Sequence, residues 1–161
     1  DLIPLVALVC FSGLRPCEAS RVEWGEVGED YIRLPGKKSK TGYSRQIPIH
    51  DNLKLWLMQW RKDAGLVCPD VSLAHVNVAI RRATGVRLTH DAMRHGYGTH
   101  RQRVVMNIGT VADEMGNSIA VCRRHYVNAF CTNIEANEWF SLVPQHPGKI
   151  LRLPDARLVA A

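Results

Sequence analysis

Residues 90–126 read HDAMRHGYGTHRQRVVMNIGTVADEMGNSIAVCRRHY, and the reading of this stretch decides the fold. Thr89 stands as a cap ahead of a helix expected from His90 to Val104, and two more helices are expected over about Thr110 to Met115 and Ser118 to Ala129. Arg94, His95, Asn117 and Tyr126 are charged or reactive groups beside the small and turn-forming residues Gly96, Gly98, Gly116 and Ser118. Simple core packing does not ask for such groups there.

Toward the N-terminus, Leu2 to Ser12 reads as a buried helix ended by Gly13, and Arg15-Pro16 opens a second short helix, since proline is tolerated in a first turn. Trp24 and Val27 close that segment. Tyr31 to Leu34 and Ser44 to Ile49 are short β-type runs joined by a Gly- and Lys-rich connection, which reads as a hairpin with a long basic tip. Leu53, Trp56, Leu57 and Trp60 then recur at helical spacing after Asp51, a cap candidate, so a helix is expected over Asn52 to Asp63. Val76, Ala79, Ile80 and Ala83 repeat the pattern, and a last helix runs from about Thr132 to Leu142. Pro144, Pro147, Gly148 and Pro154 mark the segment beyond residue 142 as a tail with little structure of its own. The expected architecture is mainly α with one small antiparallel β-hairpin, a single domain over residues 1–142 and a tail over 143–161.

Composition limits the function classes. The 161 residues carry 21 Lys plus Arg against 15 Asp plus Glu, a formal charge of +6, with 46% hydrophobic and 22% charged residues. That is the profile of a globular domain, and disorder, collagen and coiled coil fit it poorly. The longest apolar run, Leu2 to Phe11, falls short of the roughly 20 residues of a membrane helix, is interrupted by Pro4, and lacks the flanks of a secretory signal. A cytoplasmic protein with no membrane partner is expected. Five cysteines without any CxxC spacing point to neither a disulfide framework nor a zinc site. No metal and no cofactor is expected. The chain opens on Asp1 inside an apolar segment, so a fragment of a longer protein is also expected.

The basic residues cluster. Arg33, Lys37, Lys38, Lys40 and Arg45 share a stretch with no acidic residue, and Arg81, Arg82, Arg87, Arg94, Arg101 and Arg103 share theirs with Asp91 only. Either run taken alone reads equally well as solvated surface. Together they offer faces for a polyanion.

Three segments, Gly13-Leu14-Arg15-Pro16-Cys17-Glu18, Ser39-Lys40-Thr41-Gly42 and the stretch from His90 to Tyr126, together resemble the catalytic domain of the tyrosine recombinase (phage integrase) family. The resemblance covers nearly the whole chain, to about residue 142. Arg15 and Glu18 match the family's Gly-Leu-Arg-x-x-Glu segment. Lys40 lies eight residues before the proline of Ile47-Pro48, as the family's hairpin lysine does. Arg94-His95-Gly96-Tyr97-Gly98-Thr99 matches its Arg-His-x-aromatic-x-Thr run. Met115-Gly116-Asn117-Ser118 stands where the family has a Leu-Gly-His-Ser turn, nine residues ahead of the nucleophile when counted from its histidine. Tyr126 has that register, and Tyr31, Tyr43 and Tyr97 do not.

The resemblance implies a site-specific recombinase or integrase of the kind found on mobile elements, which cleaves and rejoins DNA strands through a covalent 3′-phosphotyrosine without metal. The chemistry is coherent. A covalent phosphoprotein keeps the energy of the broken phosphodiester for resealing, and the transition state spreads negative charge that a preorganised cationic clamp stabilises. Arginine suits the clamp because its planar fork donates to two oxygens at once. Arg15 and Arg94 take that role, Lys40 takes that of general acid toward the departing 5′ oxygen, and Glu18 orients an arginine. Double-stranded DNA is the expected partner. Lys37, Lys38, Arg81, Arg82, Arg101, Arg123 and Arg124 are candidates for non-reacting phosphate contacts. A homo-oligomer, a tetramer on DNA, is expected through the C-terminal helix, whose apolar face fits a neighbouring protomer and its own domain equally well.

Two residues depart from the family. Asp91 stands where a histidine usually lies three residues before the second arginine. It is expected to turn toward a cation or a backbone amide, which leaves His90 or His95 to supply the missing donor, the latter at a position the family commonly uses structurally. Asn117 replaces the histidine of the turn; it donates a hydrogen bond but exchanges no proton. These departures keep two alternatives open: a catalytically inactive DNA-binding or regulatory module of the same fold, and a type IB topoisomerase.

Overall fold

The computed structural model describes residues 2–69, 73–89, 91–144 and 150–152. In chain order the elements are α1 (Ile3–Ser12), α2 (Pro16–Ala19), β1 (Tyr31–Leu34), β2 (Arg45–Pro48), α3 (Asp51–Met58), α4 (Leu73–Thr84), α5 (Ala92–Val105), α6 (Ile108–Met115), α7 (Ile119–Tyr126), α8 (Asn133–Phe140), β3 (Leu142–Pro144) and β4 (Ile150–Arg152). The chain is mainly helical with a small antiparallel β1–β2 sheet, as expected. No described helix is long and apolar enough to cross a membrane.

Helix α1 is apolar on every side and therefore becomes the centre of the molecule. Leu5, Leu8, Val9 and Phe11 are all buried, with α3 and α5 packed along it. Gly13 ends it at φ 64°. A Cβ there would stand 2.3 Å from the Tyr97 ring, so only glycine lets α5 approach this closely. In the hairpin, Ile32 pairs with Ile47 and Leu34 with Arg45. The period of two turns Ile32, Leu34 and Ile47 inward while Tyr31 and Gln46 face solvent.

A second, smaller core joins α5, α6 and α7 through Tyr97, Val111, Ala112, Met115, Cys122 and Tyr126. Side-chain caps define the starts of α6 and α7. Asn107 Oδ1 accepts the amides of Gly109 and Thr110, and Ser118 Oγ accepts that of Val121.

Several boundaries differ from expectation. Helix α3 stops at Met58, because the next residues bend back: Arg61 donates to the Val27 carbonyl at 2.9 Å, and Val67 donates to Val22 O at 2.9 Å. Asp51 lies in the first turn of α3, after His50 as the capping position. Helix α5 starts at Ala92, and Asp91, not Thr89, is its cap. Helix α7 ends at Tyr126. The segment after 142 is not structureless: β3 pairs with β4, and Trp56 Nε1 donates to Leu142 O at 3.0 Å. Residues 145–149 and 153–161 lie outside the described residues.

Helix α8 uses its apolar face on its own domain. Trp139 stacks on His100 with ring centroids 4.4 Å apart, meets Phe11 edge-on, and donates to the Cys10 carbonyl at 3.2 Å. Ala136 is buried, whereas Ile134 is 71% exposed.

Candidate active site

Arg15 caps α2 in extended conformation just past the turn that ends α1, so its side chain leaves the end of the helix pair. One turn on, the Glu18 carboxylate is fully buried and accepts the Arg15 amide at 3.0 Å and Arg15 Nη1 at 3.3 Å. It also accepts Arg45 Nη2 at 2.7 Å and the Lys40 amide at 3.1 Å. One anion thus ties α2, β2 and the basic loop together. Burial alone would raise the Glu18 pKa. The hydrogen bonds from Arg45 and from the amides of Arg15 and Lys40, with the Arg45 charge, outweigh it and hold the carboxyl below its ordinary value.

Arg94 is buried on α5. Its guanidinium donates to the Gly13 carbonyl and, at 2.8 Å, to Met115 O. Arg15 Nη2 donates to Gly116 O at 3.0 Å and to Asn117 Oδ1 at 2.6 Å. Both guanidinium groups are therefore fastened to three successive residues of the turn that leads into α7. Burial first, then the neighbouring Arg15 charge, lowers the Arg94 pKa to about 10, which leaves it cationic at neutral pH. Arg94 is held by these backbone carbonyls, while Arg15 and Arg45 share the one Glu18 carboxylate. A cluster with such an excess of positive charge favours an anion.

Tyr126 closes α7 and lies flat against α5. A Cβ added to Gly98 would stand 2.5 Å from its Cζ, so the missing side chain of Gly98 makes the niche for the ring. The residue is 4% exposed, and its Oη lies 3.2 Å from His95 Nδ1. Burial pushes the phenol pKa up to about 12; the charges of Arg94 and, more weakly, Arg15 pull the other way, and that of Asp91 adds to the rise. Electrostatically, then, the phenol feels both arginines.

Asp91 begins α5 at φ 56°, a left-handed conformation that aspartate tolerates better than most residues. Asn117 spends its side-chain oxygen on Arg15. Lys40 is exposed on the loop after β1, held there through its backbone amide. Lys38 is drawn elsewhere, with Nζ 2.8 Å from both Glu23 and Glu26. Arg81 and Arg82 are exposed on α4, as are Arg123 and Arg124 on α7 and Lys37 on the basic loop. Arg101 does not face outward as expected. It grips Glu114 with Nη2–Oε1 at 2.7 Å and Nε–Oε2 at 2.9 Å, its side chain 16% exposed. His90 lies outside the described residues.

A cleft of about 440 Å³ opens between the basic loop and the α6–α7 turn, lined by Thr41, Tyr43, Ser44, Arg45, Ala112, Asp113, Gly116, Asn117 and Ser118. Two members of this region carry no motif signal. Arg45 looks in sequence like one more loop cation, yet it shares the inward face of β2 with Ile47, so strand alternation carries the signal. Glu114 is buried against Tyr97 Oη at 2.7 Å and Arg101. Only a spacing across two helices could have shown it.

The sequence matches no protein-family model and no curated protein sequence. Solved structures match at low identity. The catalytic domain of bacteriophage HP1 integrase is 23% identical with a TM-score of 0.63, over 78% of this chain and 73% of that one. XerA recombinase is 16% identical with a TM-score of 0.64, over 78% and 53%. A lambda integrase dimer bound to a core site is 15% identical with a TM-score of 0.58, over 80% and 53%. The chain thus spans about half the length of the latter two. On this likeness, together with the α1–α8 arrangement around one small hairpin, the chain has the tyrosine recombinase catalytic-domain fold.

Proposed function

We propose that this chain is the strand-exchange domain of a site-specific DNA recombinase, which cleaves and rejoins duplex DNA through a covalent 3′-phosphotyrosine at Tyr126. One observation carries the reading: Arg15 and Arg94 are pinned to Met115, Gly116 and Asn117 immediately before the helix that ends in Tyr126. A scissile phosphate at this turn meets two preorganised guanidinium groups, which stabilise the pentacoordinate transition state without reorganising.

Lys40 serves as the general acid for the 5′ oxygen; its Nζ has no partner among the described residues, whereas Lys38 is bound by two glutamates. Glu18 and Arg45 hold the clamp and the loop in register. Asn117 positions Arg15, and Asp91 acts on the phenol through its charge. Lys37, Arg81, Arg82, Arg123 and Arg124 contact phosphates along the duplex, so affinity falls steeply with salt. Because α8 packs in cis, a tetramer on DNA uses the outward residues Phe130 and Ile134.

The test is incubation of the chain, in chelator, with a nicked suicide duplex pool of randomised sequence, followed by denaturing electrophoresis. A covalent protein–DNA adduct is expected. Binding without adduct supports an inactive module of the same fold, and relaxation of a supercoiled plasmid by the chain alone supports a topoisomerase.

A further inference from the structure

Resting on the reading of Tyr126 as nucleophile, we infer that His95 is the base that takes the phenolic proton when Tyr126 attacks. Geometry, not the motif around Arg94, points to this role. His95 Nδ1 lies 3.2 Å from Tyr126 Oη, within the reach a general base needs. The two side chains come from different helices, α5 and α7, whose approach is set by Gly98. His95 is exposed while Tyr126 is buried, so the imidazole is a relay from a sheltered hydroxyl to water.

The charged and titratable groups around it come from both helices. Asp91 caps the start of α5, one turn before His95. Arg94 is adjacent in sequence but directs its guanidinium to the carbonyls of Gly13 and Met115. From α7, the His125 ring stands 5.6 Å away, and Arg15 is fastened to the turn before that helix. A sheltered phenol with its pKa raised to about 12 does not ionise unaided at neutral pH.

The step balances. Neutral His95, protonated on Nε2, accepts the Oη proton on Nδ1 as Oη bonds to phosphorus. The P–O5′ bond breaks, its electron pair stays on O5′, and O5′ takes a proton from the Lys40 ammonium. The imidazolium then releases its Nε2 proton to water; in the resealing step an imidazolium returns a proton to the departing phenolate.

The experiment uses the randomised nicked pool and single-turnover adduct formation. For the wild type the rate falls as the pH is lowered, because a protonated base accepts no proton. His95→Gln, at an exposed position that leaves the fold intact, loses this limb and slows by about 10²-fold or more. On a pool with a bridging sulfur at the 5′ position, whose leaving group needs no proton, Lys40→Ala recovers and His95→Gln does not. An adduct rate for His95→Gln within a few-fold of wild type, with the acid limb intact, overturns the inference and leaves the nucleophile standing. No adduct from the wild type overturns the proposed function itself. In the DNA-free protein, ¹⁵N spectra of the imidazole should show the Nε2–H tautomer; an Nδ1–H tautomer also overturns it.

Discussion

Gly98→Ala tests whether the niche on α5 controls the phenol. The added Cβ would stand 2.5, 2.7 and 2.8 Å from Cζ, Cε1 and Cε2 of Tyr126, distances that no real methyl group sustains against a rigid ring. On helix propensity alone, alanine gains about 1 kcal/mol over glycine. Overpacking costs about 1–3 kcal/mol, so the net loss of stability is about 0–2 kcal/mol and the protein stays folded. The clash resolves by moving the ring or by parting α5 from α7, and both admit water to the hydroxyl. Burial is the leading cause of the rise of the Tyr126 pKa from 10.0 to about 12, a bias of about 3 kcal/mol toward the neutral phenol at about 1.4 kcal/mol per unit. The variant should therefore titrate at least one unit lower. The assay is a pH titration of ¹³Cζ-labelled tyrosine, with Tyr126→Phe to identify the resonance. A Tyr126 resonance that still titrates near its wild-type midpoint, in a variant of unchanged stability, refutes the reasoning.

Three further outcomes are expected. Glu18→Gln, which removes the buried charge shared by Arg15 and Arg45, should cost about 3–5 kcal/mol in denaturant unfolding; because the folded carboxyl titrates below its ordinary value, its contribution is present above the unfolded pKa of about 4.3 and is lost as pH falls through the folded value. His50 is held at about 4, by burial first and then the Arg101 charge, and its Nε2 is buried without a hydrogen-bond partner among the described residues; the unfolded chain thus binds the extra proton, and stability should fall by about 3 kcal/mol as pH drops from about 6.5 toward 4, a slope that His50→Phe removes. Trp139→Ala should cost about 3–5 kcal/mol by opening the contact of α8 with α1 and α5, and a thermal midpoint unchanged from wild type would show that α8 is not held in cis.

The helices and the hairpin were legible because their signals are local: the all-apolar run of α1, the Leu53-to-Leu57 spacing of α3, and the alternation around Ile32 and Ile47. Helix ends were less so. Met58 ends α3 because Arg61 and Val67 find partners far back in the chain, and no window around residue 58 contains Val22 or Val27. The β3–β4 pairing was hidden by prolines, which mark turns without excluding short strands on either side. At the site, Arg15, Glu18, Lys40, Arg94 and Tyr126 were read from motifs; the fold joins Arg15 and Arg94 to the turn before α7, Glu18 to Arg15, and Lys40 to Glu18 through its amide, with Tyr126 at the far end of α7. Arg101 misled because sequence shows its charge but not its pairing with Glu114, one helix over. The contact of His95 with Tyr126 spans 31 residues and depends on Gly98, so nothing short of the packed helices could have shown it.

The most direct measurement is mass-spectrometric mapping of the residue that carries DNA after denaturation of an adduct formed on the nicked pool. The expected result is a nucleotide linked through phosphorus to the peptide containing Tyr126, and no adduct from Tyr126→Phe while DNA affinity is retained. DNA linked to any other side chain, or an undiminished adduct from Tyr126→Phe, would contradict a phosphotyrosine at this position.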